Sequence, residues 1–139
     1  MSYDWLVLSL LSAIMAACVA ILGKIGLKEV DSTLATTVRA GIMFISLLLI
    51  ALFSGKLNNF QQLKGNAIIF IFFSGLAGAL SWLFYFFALK LGQASKVAAI
   101  DRTSIIFVFI FALIFLGEEF NLKSFIGILF IIAGTILFI

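Results

Sequence analysis

The chain has 139 residues, 65% of them hydrophobic and only 11% charged, with a net charge of +3. Soluble domains average about 45–50% apolar and about 25% charged residues, so this chain lacks the polar residues needed to cover a water-facing exterior. Soluble globular, disordered, collagen-like and nucleic-acid-binding classes are excluded, and an integral membrane protein remains. On such a chain the small positive charge bears on topology.

A membrane-crossing helix takes about 20 residues, and the apolar runs divide the chain into five. Their expected spans are 5–22, 33–53, 67–89, 97–116 and 122–139. The first follows Met1-Ser2-Tyr3-Asp4-Trp5. A signal peptide would carry a basic leader there. An acid and two aromatics instead suit a retained helix anchored at the interface. Asp31 and Ser32 precede the second run and are good N-cap residues. Ser54-Gly55-Lys56 closes it, and the polar stretch 57–66, with Asn58, Asn59, Gln61, Gln62 and Lys64, reads as a loop. The third run leads through Lys90-Leu91-Gly92-Gln93-Ala94-Ser95-Lys96 into the fourth, which Gly117-Glu118-Glu119 ends. Asn121 is placed to cap the fifth, which only just reaches across a core of about 30 Å.

Five spans put the two termini on opposite sides. Lys56, Lys64 and Lys123 then fall on the N-terminal side, and Lys24, Lys28, Lys90 and Lys96 on the other, joined by Arg39 and Arg102 near the ends of their helices. The positive-inside bias is modest and favours an outer N-terminus. Insertion in both orientations is the alternative. Cys18 has no partner for an internal disulfide, and with no His the usual zinc ligands are missing. No metal or cofactor is expected. Proline is absent too, so a break in a helix has to come from Gly or from packing.

Close helix contact in a membrane uses small residues. Candidate contact stripes are Ser9, Ala13, Ala16 and Ala20; Thr37 and Gly41; Ser74, Gly78, Ser81 and Tyr85; and Gly127 with Gly134. The third also carries Trp82, so Ser81, Trp82 and Tyr85 together offer hydroxyls, an indole N–H and ring faces to a ligand. Three charges interrupt the spans: Arg39, Asp101 and Arg102. Each is costly within a membrane and calls for a partner or a water-filled cavity. Arg39 and Asp101 start from the same side, so an ion pair between them is one expectation, and snorkelling to the headgroups is the other.

Two blocks carry a resemblance. One is Lys24-Ile25-Gly26-Leu27 with Val30-Asp31-Ser32-Thr33-Leu34-Ala35-Thr36 and Arg39. The other runs from Ser81-Trp82-Leu83-Phe84-Tyr85-Phe86-Phe87-Ala88-Leu89 through Gly92 to Ala94-Ser95-Lys96-Val97-Ala98-Ala99-Ile100-Asp101-Arg102. With the tail Phe115-Leu116-Gly117-Glu118-Glu119, Gly127 and Ala133-Gly134, nearly the whole chain resembles a five-helix EamA-type protein of the drug/metabolite transporter superfamily. The resemblance implies an all-α membrane fold of one EamA-like repeat in a prokaryotic inner membrane. It implies a transporter, not an enzyme, that exports a small metabolite or amphiphile by alternating access. A single repeat would complete its pathway by pairing, and an antiparallel homodimer reproduces the inverted repeats of larger relatives. Membrane lipid and a small-molecule substrate are the remaining partners, with Arg39, Ser81, Trp82, Tyr85, Asp101 and Arg102 as substrate-binding residues. Many relatives have Pro where this chain has Ala99, so a Pro-dependent opening of the fourth helix is not expected. The alternatives are a non-transporting membrane subunit and a cation exporter like the small multidrug-resistance proteins. The latter rely on an acid in the first helix, and none lies between Trp5 and Leu22.

Overall fold

A computed structural model describes residues 3–58 and 63–139, and these are helical throughout, joined by short turns. The expected loop residues Asn59, Gln61 and Gln62, and the leader residues Met1 and Ser2, lie outside the described residues. The helices are α1 (Asp4–Gly26), α2 (Ser32–Phe53), α3 (Asn66–Leu91), α4 (Ala94–Asp101), α5 (Ser104–Phe111) and α6 (Leu122–Ile136). A π-helical turn, Ala112–Leu116, continues α5. Four segments are long and apolar enough to cross a membrane: α1, α2, α3 and the composite Ala94–Leu116. The 15 residues of α6 cover roughly 22 Å at 1.5 Å per residue, less than the span expected of residues 122–139.

Most side chains of these helices face outward. Leu10, Ile42, Ile50, Phe70, Phe84 and Phe130 are all exposed, an arrangement that only a hydrocarbon solvent stabilises. Tyr3 and Trp5, at the start of α1, are likewise open, as interface anchors are. Buried apolar side chains among the described residues are Ala20, Leu27, Phe86, Leu89, Ala112 and Ile128.

The chain divides into two compact units. One comprises Leu22–Lys90, and the other joins Met1–Ile21 to Leu91–Ile139. In the first unit the end of α1 packs on the end of α3. The first span is expected at 5–22, yet α1 runs to Gly26. The reason is Lys24. Its ammonium reaches the Leu89 and Lys90 carbonyls at the end of α3, satisfying acceptors that a helix terminus leaves open. Lys90 in turn donates to the Val30 carbonyl at 2.8 Å, tying down the α1–α2 connection. Gly23 allows this approach: a Cβ there would lie 3.2 Å from Phe86 Cζ and 3.6 Å from Leu89 Cδ1. By contrast, a Cβ at Gly41, Gly78, Gly127 or Gly134 would meet nothing within 4 Å among the described residues. Among the described residues these four glycines make no close contact of that kind.

Asp31 caps α2 as its sequence suggests, accepting from the Thr33 and Leu34 amides at 2.8 and 3.1 Å. Ser32 is fully buried, and its hydroxyl has no hydrogen-bond partner among the described residues.

In the second unit the fourth span is not one helix. α4 ends at Asp101, and the chain makes tight turns through Arg102 and Thr103 before α5 begins. The Thr103 amide bonds to Ile100 O at 2.9 Å, a three-residue turn, and its hydroxyl bonds to the same carbonyl at 2.7 Å. Ala99 O therefore loses its usual partner four residues on. Thr135 of α6 replaces it: its buried hydroxyl lies 3.2 Å from Ala99 O and 2.9 Å from Ile131 O. The helix thus opens without Pro and without Gly, through threonine hydroxyls. Further on, Gly117 adopts φ +66° and ends the π turn, with its own amide and that of Glu118 both donating to Ala112 O. Asn121 caps α6 by accepting from the Lys123 amide at 2.9 Å.

Candidate functional site, a cleft between α2 and α3

The unit Leu22–Lys90 holds a cleft of about 570 Å³ between α2 and α3, within the range of small-molecule sites. α2 contributes Thr33, Thr36, Thr37, Arg39 and Met43. α3 contributes Gly75, Gly78, Trp82 and Leu83. These are positions three and four apart, as one face of a helix requires.

Arg39 sits on α2, seven residues past its start, or roughly 10 Å along the helix. Its guanidinium carbon lies 3.7 Å from the centroid of Trp82 and 5.3 Å from that of Phe86. Such cation–π contact contributes about 0.5–1 kcal/mol when exposed and about 2 when desolvated. The rings support one another. Trp82 meets Tyr85 edge-on at 5.6 Å and Phe86 at 6.1 Å. Phe86 is buried against the Gly23 contact described above, so the aromatic stack rests on the tightly packed end of the unit.

The expected site residues are therefore placed as follows. Arg39 and Trp82 meet directly across the cleft, and Tyr85 abuts Trp82 from below. Ser81 is exposed on α3 and does not line the cleft. Asp101 and Arg102 belong to the other unit, where both are exposed at the break between α4 and α5. Sequence reasoning missed Phe86, although its spacing of four from Trp82 puts it under the same guanidinium. It also missed Thr36, which shares a face with Arg39 three residues later.

The threonine hydroxyls that border the cleft are engaged. Thr36 donates to Ser32 O at 2.7 Å and Thr37 to Thr33 O at 2.8 Å. Thr33 hydrogen-bonds Asp31, helping to hold that carboxyl below its ordinary range; the larger cause is the Leu34 amide. Among the described residues no acidic side chain lines the cleft. Its lining is thus one cation, methyl groups, glycines and apolar side chains.

The other unit has a cleft of its own, about 610 Å³, between the α5–π segment and α6. Phe111, Phe115, Ile128 and Ile131 make it apolar, with Glu118 and Ser124 also in its lining.

Comparison with known proteins agrees with this architecture. The EamA-like transporter family matches residues 4–139. A Sinorhizobium sp protein named "Uncharacterized transporter in cobO 3'region" is 40% identical over 137 residues, covering 99% of this chain and 97% of that protein. No solved structure matches. A match over nearly the full length, on a chain of long apolar helices, makes this an integral membrane protein, and the chain belongs to the EamA-like transporter family.

Proposed function

We propose that this chain carries a small metabolite or amphiphile out across a prokaryotic inner membrane, by alternating access, as an antiparallel homodimer. In this reading α6, with residues 137–139, forms the fifth span of one EamA-like repeat. The observation that carries it is the α2–α3 cleft: a cavity of metabolite size, set into apolar helices, with a guanidinium fixed on an aromatic platform. A charge is costly in a membrane unless it serves a polar pathway or ligand. Ser81 and Tyr85 join Arg39 and Trp82 as proposed substrate-binding residues of this unit, and Asp101 and Arg102 are the proposed substrate-binding residues of the other unit. The break where α4 gives way to α5 also suits a pathway-lining segment, since irregular backbone at membrane depth belongs beside a cavity or protein.

Reconstitution tests the transport reading. Purified protein alone is placed in liposomes loaded with a mixture of small metabolites, and efflux is followed by mass spectrometry. Release of a defined solute that empty liposomes retain is expected. Retention of every solute would favour a non-transporting subunit. A topology reporter fused after Ile139 tests the assembly: signal from both sides of the membrane is expected, and signal from one side alone would exclude opposed copies of this chain.

A further inference from the structure

We propose that the α2–α3 cleft selects an organic anion, with a carboxylate or phosphate oxyanion against the edge of Arg39 and an apolar body along Met43, Leu80 and Leu83. The proposal rests on the reading of this cleft as the substrate site and names its ligand class.

Arginine stays charged under all physiological conditions, and its five N–H donors lie in the plane of the guanidinium. The Trp82 ring lies 3.7 Å from the guanidinium carbon, and a ring face offers the N–H groups no oxygen acceptor. Among the described residues Arg39 makes no hydrogen bond or ion pair. Arg39 is half-buried in the cleft, and partly desolvated N–H donors gain by meeting acceptors, so the edge is open to oxygen atoms from a ligand. No carboxylate among the described residues lines the cleft to compete for them. Nor do Thr36 and Thr37 offer a competing donor, because their hydroxyl protons are committed to Ser32 O and Thr33 O. A ligand cation would meet the Arg39 charge with no acid to offset it. A neutral ligand would leave that charge uncompensated in a low-dielectric setting, where oxyanion pairing is strongest. The planar fork also favours a bidentate oxyanion over a single acceptor.

The test uses the full chain in nanodiscs of phosphatidylcholine and three radiolabelled probes of one shape: 3-phenylpropionate, 3-phenylpropionamide and 3-phenylpropylamine. Equilibrium binding should rank the carboxylate about tenfold or more tighter than the amide, with the amine weakest. Equal or tighter binding of the amine overturns the proposal. That ranking on the unmodified chain needs no substitution, so it stands even if a variant fails to fold. Arg39→Gln should remove the preference for the carboxylate, and Arg39→Lys should weaken it by losing the fork. An unchanged preference in folded Arg39→Gln overturns it. So does strong coupling between Arg39→Gln and Asp101→Asn in a double-mutant cycle on stability, since Asp101 would then fill the donors.

Two sources share this chemistry, a free carboxylate and a lipid phosphate. Nanodiscs with added phosphatidylglycerol separate them: undiminished 3-phenylpropionate binding identifies a soluble anion, and Arg39-dependent competition identifies the lipid headgroup. Transport assays separate the two levels of the reading. Arg39-dependent carboxylate binding without vesicle transport leaves the ligand class standing and rejects the transport pathway. Transport of amines with no carboxylate binding does the reverse.

Discussion

The two clefts are close in size, about 570 and about 610 Å³, and differ in what fixes them. The one in Leu22–Lys90 holds a guanidinium on a stack of rings, and that stack ends on the Gly23 contact. The one in the other unit is apolar apart from Glu118 and Ser124, and its α6 wall is tied to α4 through the Thr135 hydroxyl on Ala99 O. A charge inside a membrane needs a rigid seat, because the stabilisation it receives falls off with distance and orientation. Hydrocarbon walls need none, since a lipid tail fills an apolar groove without directional contacts. The difference therefore predicts where substitutions are felt.

The largest effect should come from overfilling the base of the charged cleft. Gly23→Val pushes a branched side chain into Phe86 and Leu89, and overpacking of this kind costs about 1–3 kcal/mol. Gly127→Ala, on the wall of the apolar cleft, adds a methyl group where nothing lies within 4 Å. It should be neutral, or stabilising by up to about 0.5–1 kcal/mol through helix propensity. Denaturation in mixed micelles compares the pair, and equal losses would mean that both clefts are equally tight.

Next comes the seat itself. Trp82→Leu keeps an apolar side chain and removes the ring beneath Arg39, for a loss of about 0.5–2 kcal/mol. Double-mutant analysis with Arg39→Gln should recover most of that loss as coupling. Additive losses would show that the ring packs without holding the charge. In the other unit, Thr135→Val leaves Ala99 O without its partner, at a cost of about 1–3 kcal/mol if the carbonyl stays dry. Hydrogen exchange around residues 99–104 should rise in that variant, and no change there would remove Thr135 as the tie.

Parts of this arrangement were legible and parts were not, for physical reasons. Helix starts at Asp31 and Asn121 follow from local chemistry: a short side chain with an acceptor reaches the second or third amide along. Gly117 at φ +66° is likewise a local matter. The break after Asp101 was not legible, since it carries neither Pro nor Gly. It depends on which carbonyl the Thr103 and Thr135 hydroxyls choose, and that choice is made by tertiary contact. Arg39 and Trp82 each stood out in the sequence, but their pairing did not. A shared depth offered Asp101 as one partner for Arg39; the ring that meets its guanidinium within its own unit, Trp82, stood out only as a ligand contact. The rotation of α3 that presents Trp82 rather than Ser81 amounts to one residue, about 100°, and periodicity alone does not fix it.

Smaller effects sharpen the picture of the entry to α2. Ser32→Ala removes a buried hydroxyl that has no partner among the described residues, so it should be neutral or stabilising by up to about 1 kcal/mol. A clear destabilisation would reveal an acceptor supplied from outside the chain, such as a water or a bound solute.

The last effect is a pH dependence at Asp31. Its carboxyl lies below the ordinary value of 3.8, chiefly because the Leu34 amide donates to it. A group with a lowered native pKa stabilises the fold above its unfolded value and loses that contribution as pH falls through the native one. Asp31 is fully exposed, so the effect is small. Asp31→Asn keeps an oxygen to accept from the Thr33 and Leu34 amides but cannot titrate. At neutral pH the native chain should therefore melt slightly above the Asn variant. As pH falls below about 4, the gap should narrow and close. Thermal unfolding in detergent at several pH values follows it, and a gap that stays constant into acid would mean that the cap owes nothing to its charge.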